Sequence, residues 1–146
     1  MTKIYTLLLF VFISILSFSQ TEEIKLYYEN GKLKEEYTLV NGKKDGLVKE
    51  YWENGQLKEE YTLIDSKKDG FLKFYWENGK LNSEGNFVDG KQDGFWKFYY
   101  ENGNLEEEGN FVGNYKRDGI WKYYWESNGK LKEIKTFKDG EEVEED

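Results

Sequence analysis

Trp52-Glu53-Asn54-Gly55, with Leu57 two residues beyond the glycine, is one of five copies of the same phrase. It appears first as Tyr28-Glu29-Asn30-Gly31 with Leu33, then again as Trp76-Glu77-Asn78-Gly79 with Leu81 and as Tyr100-Glu101-Asn102-Gly103 with Leu105. The fifth copy, Trp125-Glu126-Ser127-Asn128-Gly129 with Leu131, carries an inserted serine. A second mark recurs at the same period of roughly 24 residues: Asp45-Gly46, Asp69-Gly70, Asp93-Gly94 and Asp118-Gly119. Five units exceed the three or so that a repeat array needs in order to bury a continuous core.

Each unit reads as a β-hairpin. Asn-Gly between two runs rich in aromatic and apolar residues is the strongest short-range hairpin signal, because a type I′ turn needs positive φ at both central positions. The turns are therefore placed at Asn30-Gly31, Asn54-Gly55, Asn78-Gly79, Asn102-Gly103 and Asn128-Gly129. In the second unit the strands run from about Leu47 to Glu53 and from about Gln56 to Leu63. The segment from Val40 to Asp45, with Asn41-Gly42, reads as a longer loop to the next hairpin. A two-residue turn at Asn54-Gly55 puts Trp52 opposite Leu57, Val48 opposite Tyr61 and Lys49 opposite Glu60. It likewise pairs Lys73 with Glu84, Lys97 with Glu108, Leu72 with Gly85 and Trp96 with Gly109. One face then carries bulky residues, with large rings covering glycines and Phe74, Phe98 and Tyr123 in a column. The other carries a solvated row of Lys–Glu pairs, each worth about 0–1 kcal/mol.

Composition narrows the chemistry. The 146 residues include no His, no Cys and no Pro, while Phe, Trp and Tyr make up 18%. Without Cys there is no disulfide, thiolate nucleophile or Cys-ligated metal. Without His the usual neutral-pH acid/base group and the commonest metal ligand are missing. No enzymatic activity, catalytic residue, cofactor or metal site is expected. The lone Asp-Gly of each unit supplies too few oxygens for calcium and reads as a turn. The net charge of −8 argues against nucleic acid as a partner and against an electrostatic grip on anionic lipid.

The first nineteen residues differ from the rest. Lys3 is followed by a nearly unbroken apolar run from Ile4 to Leu16, then by Ser17-Phe18-Ser19. That is the pattern of a cleaved signal peptide, shorter than the ~20 residues that span a bilayer. The expected organisation is a signal peptide over 1–19 and a repeat domain over 20–146. The units are approximately 22–45, 46–69, 70–93, 94–118 and 119–140, with an acidic tail at 141–146. No Cys follows the apolar run, so a lipoprotein is not expected. The destination is periplasmic or secreted, with membrane contact only through the signal segment.

The run from Asp93 to Leu105, followed by Gly109 and Phe111, resembles the bacterial variant of the MORN repeat, and the resemblance extends from about Ile24 to Gly140. It implies an all-β fold: an elongated, twisted, single-layer antiparallel sheet of tandem hairpins. Tyr37, Tyr61 and Lys135 depart from the glycine found at 85 and 109. The resemblance also implies an interaction or scaffolding module. A bacterial subset of the family is described as antitoxins, which makes neutralisation of a polymorphic toxin the first alternative.

The candidate partner-binding face comprises Trp52, Trp76, Trp96, Trp121, Trp125, Phe74, Phe98 and Tyr123. A protein partner is the leading expectation. A second alternative is a cell-envelope glycan stacked on these rings, in place of the rings building the sheet's own core.

Overall fold

A computed structural model describes residues 20–113 and 115–144. The expected signal peptide lies outside the described residues. Among these there is no helix; twelve strands form one antiparallel sheet. They are β1 (Thr21–Tyr27), β2 (Leu33–Val40), β3 (Lys43–Tyr51), β4 (Leu57–Ile64), β5 (Lys67–Lys68) and β6 (Gly70–Tyr75). Then follow β7 (Leu81–Val88), β8 (Lys91–Tyr99), β9 (Leu105–Val112), β10 (Lys116–Tyr124), β11 (Leu131–Lys138) and β12 (Glu141–Val143). Strands neighbour in chain order, and β5 and β6 both pair with β4, interrupted only at Asp69.

The turn chemistry is the reverse of the sequence expectation. At Trp52–Gln56 the Gly55 amide donates to Trp52 O and the Trp52 amide to Gln56 O, both at 2.8 Å. Gly55 has φ +92°, whereas Asn54 is not among the residues with positive φ. This is a three-residue loop, a type I turn closed by a left-handed glycine and a G1 bulge. Asn54 stays right-handed because its side chain is in use: Oδ1 accepts from the Gln56 amide at 2.8 Å and Nδ2 donates to Glu77 O of the next unit at 2.6 Å. Two-residue turns with positive φ at both positions lie instead at Asn41-Gly42 (51°, 77°) and Asp89-Gly90 (51°, 79°). The expected long loop is thus a tight hairpin, with β3 already begun at Lys43.

The expected pairing of Trp52 with Leu57 does not form, but beyond the turn the expected register holds, because the bulge restores it. Tyr51, not Trp52, partners Leu57, and the shift at Glu50/Tyr51 then brings Lys49 opposite Glu60 and Val48 opposite Tyr61. Lys73↔Glu84, Leu72↔Gly85, Lys97↔Glu108 and Trp96↔Gly109 follow in the same way. Asp45-Gly46 is not a turn. Three residues, Asp45 to Leu47, oppose the single Thr38 between Leu39↔Lys44 and Tyr37↔Val48. An excess of two residues preserves which face each side chain points to. Such bulges bend a strand and increase its twist. The single layer buries Val48, Leu72, Trp96, Phe111 and Trp121 to 7% exposure or less.

Candidate functional site

Three surfaces recur along the array: the inner face, the row of Asn-Gly turns, and the outer face. On the inner face one row runs Tyr37, Val48, Tyr61, Leu72, Gly85, Trp96, Gly109, Trp121. Trp96 has a glycine on both sides, and its ring lies over Gly85 of the preceding hairpin, not over its hairpin partner Gly109. A Cβ built on Gly85 would come within 2.5 Å of Trp96 Cγ. Trp121 covers Gly109 in the same manner. Trp96 Nε1 donates to Asn86 O and Trp121 Nε1 to Asn110 O, each at 3.1 Å, so both indoles are buried with their polar atom satisfied.

Basic side chains close this face further. Lys44 lies 3.8 Å from the Tyr37 ring centre and pairs with Glu35. Lys68 lies 4.0 Å from that of Tyr61 and pairs with Glu59. Arg117 stands 4.2 Å over Trp121 and holds Glu107 through two hydrogen bonds of 2.8 and 2.9 Å. The matching positions of the third unit are Ser83 and Gln92, both neutral, so carboxylate and cation are absent together. Burial raises the Glu107 carboxyl above its ordinary pKa despite the guanidinium beside it. Burial first, and Glu50 second, raise the Tyr61 hydroxyl.

The eight candidate residues therefore do not share one open face. Trp96 and Trp121 are 1% and 0% exposed. Phe98 stacks between them, at ring-centre separations of 5.9 and 6.4 Å. In the row containing Phe74, Phe98 and Tyr123 the intervening partners are Ser83 and Glu107, so this column is not a stack of rings. Trp52, Trp76 and Trp125 stand at the turns. Trp52 Nε1 donates to Tyr75 O and Trp76 Nε1 to Tyr99 O, both at 3.0 Å, and Tyr28 and Tyr100 use their hydroxyls in the same way. Beside them Asn30, Asn54, Asn78 and Asn102 each donate Nδ2 to the backbone carbonyl of the next unit's turn. The turn row is thus a polar ladder that fastens unit to unit. Trp125, in the last turn, is 50% exposed.

The outer face carries the expected charges as one unbroken alternating row: Lys25, Glu36, Lys49, Glu60, Lys73, Glu84, Lys97, Glu108, Lys122. Tyr51, Tyr99 and Tyr124 donate to Glu36, Glu84 and Glu108. Burial, and then these hydrogen bonds, push each of the three hydroxyls up to about 12 from 10.0. Because the unfolded chain ionises first, their stabilising contribution is complete below pH 10.0 and is lost as pH rises towards about 12. An ultraviolet titration of tyrosinate is expected to show a late population whose ionisation coincides with loss of the near-ultraviolet circular dichroism.

Sequence reasoning missed a second feature of the outer face. Leu47, Phe71, Phe95 and Ile120 are 50%, 49%, 47% and 57% exposed. Each follows Asp-Gly directly and lies two residues before a lysine of the charged row, so its side was legible from strand parity. With strands about 4.8 Å apart, these side chains recur roughly every 10 Å. Ile64, Val88 and Val112, each about half exposed, extend the apolar strip towards the turns at the end opposite the Asn-Gly row. At its C-terminal end the strip meets a depression of about 630 Å³ in which Ile120, Ile134, Thr136 and Val143 stand beside four charged residues, Glu133, Lys135, Glu142 and Glu144. No group of three or more metal-binding side chains comes together among the described residues.

No curated protein matches the chain. A family model described as the MORN repeat variant matches residues 23–41, 44–65, 68–89, 92–112 and 117–139. These five matches cover most of the sequence and coincide with the hairpins, and the chain belongs to the MORN repeat variant family.

Proposed function

We propose that this chain is an exported, non-catalytic protein-binding module whose contact surface is the apolar strip of the outer face. Repeats of this family serve protein or membrane interaction and are generally non-catalytic. The carrying observation is that four large apolar side chains, one in each of the last four repeats, stay about half exposed while Trp96 and Trp121 of the inner face are fully buried. These side chains alternate across the strands with Thr62, Asn86, Asn110 and Thr136, a mixed apolar and hydrogen-bonding surface that suits a protein contact. A protein is favoured over a lipid surface because the flanking charges alternate in sign and the chain is acidic overall. A glycan on the aromatic face is disfavoured, since Trp96 and Trp121 offer no free ring surface.

The variant Phe71→Ser with Phe95→Ser tests the surface. Both residues are about half exposed, so the pair is expected to change stability by only about 1 kcal/mol while abolishing cross-links to the partner in the envelope fraction of the host. Undiminished cross-linking would overturn the assignment. The intact mass of the product from the same fraction tests export, which requires loss of about residues 1–19.

A further inference from the structure

We propose that Asn41-Gly42 is a site of spontaneous conversion of asparagine to aspartate and isoaspartate in the folded protein, from which the Asn-Gly pairs at 30, 54, 78 and 102 are protected. In this reaction the glycine amide nitrogen attacks the asparagine Cγ. The bond from Cγ to Nδ2 breaks, ammonia leaves with the displaced proton, and water opens the resulting cyclic imide at either carbonyl. The sequence contains six Asn-Gly pairs, at 30, 41, 54, 78, 102 and 128.

In four of them the three reacting groups are held. At Asn54 the leaving nitrogen donates to Glu77 O, Oδ1 accepts from the Gln56 amide, and the Gly55 nitrogen donates to Trp52 O. Asn30, Asn78 and Asn102 repeat this arrangement with the next unit. Asn128, in the last turn, keeps only two of the three anchors, because no further unit accepts its Nδ2. Asn41 lies in a two-residue turn instead. Among the described residues its Nδ2 has no acceptor and the Gly42 nitrogen donates to no backbone carbonyl. Its single side-chain contact runs from the Gln20 amide to Oδ1 at 3.3 Å, longer than the 2.8–2.9 Å of the corresponding contacts at the other turns, and it restrains neither the attacking nor the leaving nitrogen.

A second observation bears on the product. The equivalent positions of other units are Asp65, Asp89 and Asp139, with φ of 50°, 51° and 55° against 51° at Asn41. Aspartate therefore already occupies this turn elsewhere in the array. At Asn54 a carboxylate would instead face the Glu77 carbonyl.

The test is peptide mapping of the purified full-length protein aged in mildly alkaline buffer, folded and in denaturant. In the folded protein Asn41 is expected to convert on the order of tenfold faster than Asn30, Asn54, Asn78 and Asn102, whose hydrogen bonds must break first. In denaturant the difference should vanish. Asn41→Asp is expected to leave the thermal midpoint unchanged, and Asn54→Asp to lower it. Equal folded-state rates, or a lead by any of the four ladder asparagines, would overturn the proposal.

Discussion

Gly109→Ala is expected to destabilise the protein by about 3 kcal/mol, a large effect for the addition of one methyl group. The backbone at Gly109 does not need glycine, since its φ is not positive. The ring does: an added Cβ would lie 2.5 Å from Trp121 Cγ and nearer still to the fused bond. Trp121 cannot retreat, being fully buried against Phe98, Phe111 and Phe137 with Arg117 above it. The chain itself contains the remedy. Where units four and five place Gly109 beside Trp121, the earlier units place Tyr37 beside Val48 and Tyr61 beside Leu72, exchanging which partner is large. The double variant Gly109→Tyr with Trp121→Leu is therefore expected to regain most of the loss, giving a coupling energy of about 1–3 kcal/mol in denaturant titrations. A double variant no better than Gly109→Ala would mean that volume exchange is not what relates the units.

The second large effect separates the tryptophans that composition alone groups together. Trp96→Ala is expected to cost about 3–5 kcal/mol, because it leaves a ring-sized cavity between Gly85, Phe87, Phe98 and Phe111. Trp76→Phe removes one hydrogen bond to Tyr99 O at the half-exposed turn row and should cost only about 0.5–1.5 kcal/mol. Thermal or denaturant unfolding of the two variants measures the difference. Similar losses would place Trp76 in the core alongside Trp96.

The contrast shows how much the sequence disclosed. Hairpins, unit number and strand register were legible because the period is rigid and the Lys–Glu and Trp–Gly pairings admit one alignment. The turn type was not, because Asn-Gly is compatible with either a two-residue turn or a type I turn with a bulge. What distinguishes the bulged turns is that the asparagine Oδ1 accepts the amide two residues on, at all five of them, including Asn128 where no further unit follows. The ring positions were not legible either. Trp96 has glycine on both flanks, and only the packing of Phe87 and Phe111 around it determines that the ring turns towards Gly85. The outer strip was legible from parity at Leu47, Phe71, Phe95 and Ile120, but the charged row beside it drew that face into the solvated class.

The protein-binding account rests on the outer face being open and the inner face closed. A photo-crosslinking residue placed in turn at Phe95 and at Phe98, three positions apart and on opposite faces, tests this directly in the native host. The account predicts one discrete cross-linked protein from position 95, lost on adding the Phe71→Ser change, and none from position 98. A partner captured from position 98 but not from 95 would contradict it.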